Sequence, residues 1–78
     1  MEELLDILRS IRPDVDFAAE ERLIDDNILD SFDVVNIVGD ISEAFGVTVT
    51  AKYFKPENFN SVRAMWALVQ RLRPGARQ

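Results

Sequence analysis

The stretch Leu29-Asp30-Ser31-Phe32-Asp33 sets a serine hydroxyl where an acidic, polar run gives way to hydrophobic residues at helical spacing. A serine becomes nucleophilic at neutral pH when a neighbouring base takes its proton, and that base is usually histidine. The chain has no histidine, its nearest lysine to Ser31 is Lys52, and the immediate titratable neighbours are carboxylates. This argues against serine-hydrolase chemistry. With no cysteine in the sequence, a thiol nucleophile is absent as well.

The oxygen-rich cluster Asp25, Asp26, Asn27, Asp30 and Asp33 raises metal binding. A calcium-binding helix-loop-helix needs oxygen ligands at loop positions one, three and five, glycine at six and glutamate at twelve. Counted from Asp25, those last three positions hold Leu29, Asp30 and Asn36, so the match fails at each. A solvated acidic loop is the simpler reading, and no metal site is expected. Two roles remain for Ser31. A helix N-terminus presents unpaired N–H groups and the positive end of the dipole, which suits a phosphate ester on a serine there. Alternatively, Asp30 and Ser31 are simply good helix-capping residues. Residue types alone leave both readings open.

The elements that position this serine follow from periodicity. Leu4, Leu5, Leu8 and Ile11 recur at helical spacing before Pro13, predicting a first helix over residues 2–12. Residues 13–29 carry scattered apolar side chains (Val15, Phe17, Leu23, Ile24, Ile28, Leu29) without a sustained period. They read as a long ordered loop whose apolar residues tuck under the helices, a kind of loop that tends to be functional. Asp30 or Ser31 caps a second helix with a buried stripe of Phe32, Val35, Val38, Ile41 and Phe45, ended by Gly46 in a left-handed cap. Gly39 within it costs about 1 kcal/mol relative to alanine. Val47 to Thr50 alternates like a strand but has no partner, and reads as loop. Pro56 starts a one-turn helix to Phe59. Ser61 caps the last helix, with Val62, Met65, Trp66, Val69 and Leu72 facing inward and Pro74-Gly75 as its stop. The expected fold is all-α: a bundle of three main helices plus one short helix, with a long first connection.

A chain of 78 residues allows one domain with one thin core, here residues 1–73 with a short tail over 74–78. Between Asp14 and Glu43 it holds ten acids and one base, Arg22; from Ser61 onward it holds four arginines and no acid. An acidic middle repels nucleic acid and favours basic protein partners. The acidic start Met1-Glu2-Glu3 does not look like a signal peptide, and no apolar run approaches the roughly 20 residues of a membrane span. A cytoplasmic monomer is expected, neither membrane-spanning nor bound to nucleic acid.

The stretch from Ile24 to Val47, "IDDNILDSFDVVNIVGDISEAFGV", resembles the acyl carrier protein family. Asp30-Ser31-Phe32 matches the family's Asp-Ser-apolar signature, and Asp33, Val35, Ile41, Glu43 and Phe45 fall at matching offsets. The likeness extends over nearly the whole chain, including Phe59-Asn60-Ser61-Val62 before the last helix. It implies an acyl-carrier-like four-helix bundle in which Ser31, flanked by Asp30, carries covalent 4′-phosphopantetheine. The implied partners are a phosphopantetheinyl transferase, an adenylating enzyme that loads an acyl or aminoacyl group, and a downstream acyltransferase or synthase. Such a protein is a carrier and not an enzyme. The transferase would bring base and magnesium, and the arm would bring the thiol. The alternative is an unmodified helical interaction module with a carrier-like fold.

Fatty-acid carriers usually have leucine after the serine and glutamate five positions later, where this chain has Phe32 and Asn36. Ile28-Leu29-Asp30-Ser31, Tyr53-Phe54 and Asn58-Phe59 are more similar to the D-alanyl carrier branch. Ser10, Ser42 and Ser61 lack the Asp-Ser-apolar context, so Ser31 is expected to be the sole attachment site. Partner docking is expected on the start of the second helix through Asp30, Asp33, Asp40 and Glu43, with Phe32 or Val34 adding exposed apolar contact. Phe32, Phe45, Phe54, Phe59 and Trp66 suggest a full core, hence a short or polar cargo that stays outside it.

Overall fold

A computed structural model describes residues 2–73, which form four helices and one 3-10 turn; among these residues there is no strand. Helix α1 spans Glu2–Ile11, α2 Ser31–Phe45, α3 Pro56–Phe59 and α4 Val62–Leu72, and the 3-10 turn is Ala51–Tyr53. The all-helical expectation holds. The tail over 74–78, the Pro74-Gly75 stop and Arg77 lie outside the described residues.

Each helix carries its own start and stop. Glu2 and Glu3 occupy the first turn of α1 and Arg9 the last, so their charges oppose the ends of the helix dipole. Leu4 and Leu8 are its buried residues. Asp30 caps α2, and Gly46 ends it with a left-handed φ of 65°. Pro56 opens α3, where its missing N–H deprives no acceptor. The Ser61 hydroxyl accepts a hydrogen bond from the Ala64 N–H at 3.0 Å and caps α4.

Helix α2 is rotated relative to the expected stripe. Val34, Ile37 and Ile41 face the core, while Phe32 and Val35 point outward at 72% and 57% exposure. Val38 and Phe45 are half-buried. The sequence Phe-Asp-Val-Val-Asn-Ile-Val supports two apolar stripes one residue apart, so the helical period alone does not choose between them. The choice is made by Asp33. It shares a face with Ile37 and Ile41 and is turned inward by an arginine described below.

Helix α1 packs on α2 and α4, and α3 packs on α4. Val62, Met65, Leu68 and Val69 bury the inner face of α4. Trp66, expected in the core, stands at its edge, half-buried and edge-on to Phe45 with ring centroids 5.7 Å apart. The long connection is ordered, and Phe17, Leu23 and Leu29 are buried. Asn60 ties it down: its carbonyl oxygen accepts from Leu23 N–H at 2.9 Å, and its side-chain oxygen accepts from Ile24 and Asp25 N–H at 3.0 Å each. Its amide nitrogen donates to Asp25 Oδ2 at 3.1 Å.

Gly39 within α2 and Gly46 at its C-cap should respond oppositely to alanine. At Gly39 an added Cβ meets nothing within 4 Å, so Gly39→Ala should stabilise by about 0.8–1 kcal/mol and raise the melting temperature by about 4–8 °C. At Gly46 the left-handed backbone opposes any Cβ, and Gly46→Ala should destabilise by about 1–2 kcal/mol. Calorimetry of the two variants checks both signs.

Candidate functional site

The chain turns into α2 through a reciprocal pair of hydrogen bonds. Asp30, extended at φ −102° and ψ −179°, accepts the Asp33 N–H on Oδ1 at 2.8 Å. Asp33 Oδ2 accepts the Asp30 N–H at 3.3 Å, completing a capping box. Of the two capping candidates, Asp30 takes the role. Ser31 is instead the first helical residue and is exposed, and no hydrogen bond among the described residues uses its hydroxyl. The N–H groups of Ser31 and Phe32 lie too early in the helix to have intrahelical partners.

Arg12, just past the end of α1, locks this turn in place. Its Nη1 donates to Asp33 Oδ2 at 2.7 Å and to the Ile28 carbonyl at 3.2 Å. Its Nε and Nη2 donate to the two oxygens of Asp14 at 3.1 and 3.0 Å. The hydrogen bonds that Arg12 donates to Asp14 and Asp33 raise its pKa further above its already high ordinary value. The bond from Arg12 holds the Asp14 carboxyl below the usual carboxylate range. Asp33, only 9% exposed, is thus committed to the fold. Its expected docking role is corrected, and so is that of Val34, which the same rotation of α2 buries. Phe32, Asp40 and Glu43 are exposed, as a docking face requires.

Beside Ser31 opens a cleft of about 390 Å³. Its apolar walls come from Ile24, Leu29, Val34, Val35, Phe54 and Phe59. Its polar members, Asn27, Asp30, Ser31 and Lys55, are all exposed and so sit at its mouth. The expectation of a core filled by five rings is corrected here. Phe59 is buried, but Phe54 is 43% exposed and Phe32 faces solvent. Phe54 stands edge-on to Phe59 with centroids 6.3 Å apart, forming a wall where a plug was expected. The premise for excluding cargo from the interior therefore fails.

Neither protein-family models, curated proteins nor solved structures offer a match to this chain. The structure brings Ser31, Asp30 and Phe32 together at one helix start and sets Asp40 and Glu43 further along α2. Nothing in the sequence alone gives Arg12 a role, and Asn60 stands out only within the Phe59-Asn60-Ser61-Val62 likeness. Asp14 lies only two residues from Arg12, but Asp33 is 21 residues away, and Asp25 and Ile24 are 35 and 36 residues from Asn60, beyond any local pattern. Lys55 was also missed, since only the fold brings it to the cleft.

Replacing Arg12 by methionine, or Asp33 by asparagine, should lower the melting temperature, and the double variant should lose less than the two losses added. Additive losses would mean that the pair does not act as a unit. Carboxyl NMR titration should place Asp14 below the ordinary aspartate range in wild type and move it up toward that range in Arg12→Met. The Asp14 contribution to stability is complete above the unfolded-state pKa and is lost as pH falls through the depressed folded value.

Proposed function

We propose that this chain is a carrier protein that holds an acyl or aminoacyl group as a thioester on a 4′-phosphopantetheine arm attached to Ser31. The single observation that carries this reading is the state of the Ser31 hydroxyl. It is exposed at a helix start, it takes no part in the cap, and it stands at the mouth of an apolar cleft. A serine kept there for capping would have its oxygen on a backbone N–H, and that work is done by Asp30. The resemblance of Asp30-Ser31-Phe32 and the surrounding helix to acyl carrier proteins supports the same assignment.

The residues present suit the group. The early N–H groups of α2 favour a phosphate on the adjoining side chain. The cleft offers apolar surface for the arm or for a cargo, with room equivalent to roughly a dozen waters at about 30 Å³ each. When attached, the arm supplies the thiol that a cysteine-free chain lacks.

Attachment needs a partner because no histidine is present to take the proton. In the transfer, Ser31 Oγ bonds to the coenzyme A phosphorus that bears pantetheine. The pyrophosphate bond to the nucleotide half breaks, and the hydroxyl proton passes to a base on the transferase. The partners are this transferase, an adenylating loading enzyme and a downstream acyltransferase or synthase. Their docking face is the outer side of α2, where exposed Phe32 and Val35 offer apolar contact and Asp40 and Glu43 attract basic residues. The chain itself catalyses nothing in this scheme.

Incubation with coenzyme A, magnesium and a broad-specificity phosphopantetheinyl transferase should add one phosphopantetheinyl group, read by intact mass. Ser31→Ala should gain none. A wild-type protein that stays unmodified would favour a plain interaction module, and modification persisting in Ser31→Ala would move the site elsewhere.

A further inference from the structure

We propose that Lys55 is the positioning residue for the arm: its ammonium pairs with the phosphodiester on Ser31 and turns the arm into the apolar cleft. The inference rests on the carrier reading above and adds to it a residue outside the serine motif. Arg12 is engaged by Asp14 and Asp33, and Arg22 by Asp25 and Asp26. Lys52 lies 5.2 Å over the Tyr53 ring. Lys55 has no carboxylate within salt-bridge distance among the described residues, and it is the one cation lining the cleft that Ser31 opens into.

Its backbone is held while its head is free. The Lys55 N–H donates to the Tyr53 carbonyl at 2.8 Å, and the Lys55 carbonyl accepts from Asn58 N–H at 2.9 Å. The Asn58 side chain donates to the same Tyr53 carbonyl at 2.9 Å, closing the turn. The stem therefore leaves from a fixed point at the cleft mouth. Asp30 is the other charge there, and a phosphodiester on Ser31 adds a second negative charge beside it. Opposite charges at a half-open apolar site attract more strongly than in bulk water. The pairing selects one direction for the arm, between Val35 on α2 and Phe54 at the other wall. A neutral residue at position 55 would leave the arm free to sweep outward.

The test compares apo and holo protein by NMR, with intact mass reporting attachment. Attachment should shift the Lys55 Cε–Hε signals several-fold more than those of Lys52. Lys55→Gln should still accept the arm, yet its ³¹P resonance should move from the wild-type position and the Val35 and Phe54 signals should return toward apo values. Lys55→Arg should restore both. Raising salt to 1 M, where the screening length falls to about 3 Å, should reduce the wild-type contrast. If the arm attaches but Lys55 responds no more than Lys52, or the ³¹P resonance is the same in Lys55→Gln, the positioning role is wrong while the carrier reading stands. If no arm attaches to wild type, both fall together.

Discussion

The ion pair between Arg12 and Asp33 decides how the rest of this small protein is arranged. A carboxylate with 9% of its surface exposed is stable only with its charge matched and its oxygens hydrogen-bonded. Asp33 meets both needs, accepting from Arg12 at 2.7 Å and from the Asp30 N–H. Because Asp33 must face Arg12, α2 has one permitted rotation. That rotation sends Val34, Ile37 and Ile41 into the core and turns Ser31, Phe32 and Val35 outward. The exposed hydroxyl and the exposed apolar pair are thus consequences of one buried charge.

The opposite wall of the cleft depends on a second constraint. A connection running from Arg12 to Asp30 has many peptide groups to satisfy, and Asn60 satisfies several through both its backbone and its side chain. It fixes Leu23 in the core and brings Ile24 and Leu29 against the start of α2. The α3 turn, held by Asn58 and the Tyr53 carbonyl, brings Phe54 and Lys55 from the other direction. Two stretches distant in sequence, residues 24–35 and 54–59, meet at Ser31, and the cleft is the space left between them.

Much of this was legible in the sequence because much of it is local. Helix α3 occupies the predicted residues, Ser61 caps α4, and Gly46 takes the left-handed cap, each from a rule that operates within a few residues. Helix α1 ends at Ile11, one residue earlier than the periodicity suggested. The rotation of α2 was misread because its apolar residues cover two adjacent faces, and the residue that chooses between them is charged. Asp33 looked like a surface acid; its partner sits in another segment, and charge pairing leaves no periodic trace. The five-ring core failed for the same reason. With α2 turned, Phe32 leaves the interior and Phe54 becomes a wall of the cleft. Ser31 stands out in the sequence from a short motif and from the chemistry its neighbours do not provide, and in the fold it is exposed at the start of α2 beside the cleft.

Labour is divided at one helix start: Asp30 and Asp33 form the capping box that holds the fold, and the Ser31 hydroxyl takes no part in it. Equilibrium unfolding in urea of Ser31→Ala against wild type tests it directly. The predicted result is an unchanged stability, within about 0.5 kcal/mol, as for a surface substitution that removes no cap or packing. A loss of about 1 kcal/mol or more, the usual cost of deleting an N-cap side chain, would contradict it by showing that the hydroxyl serves the fold.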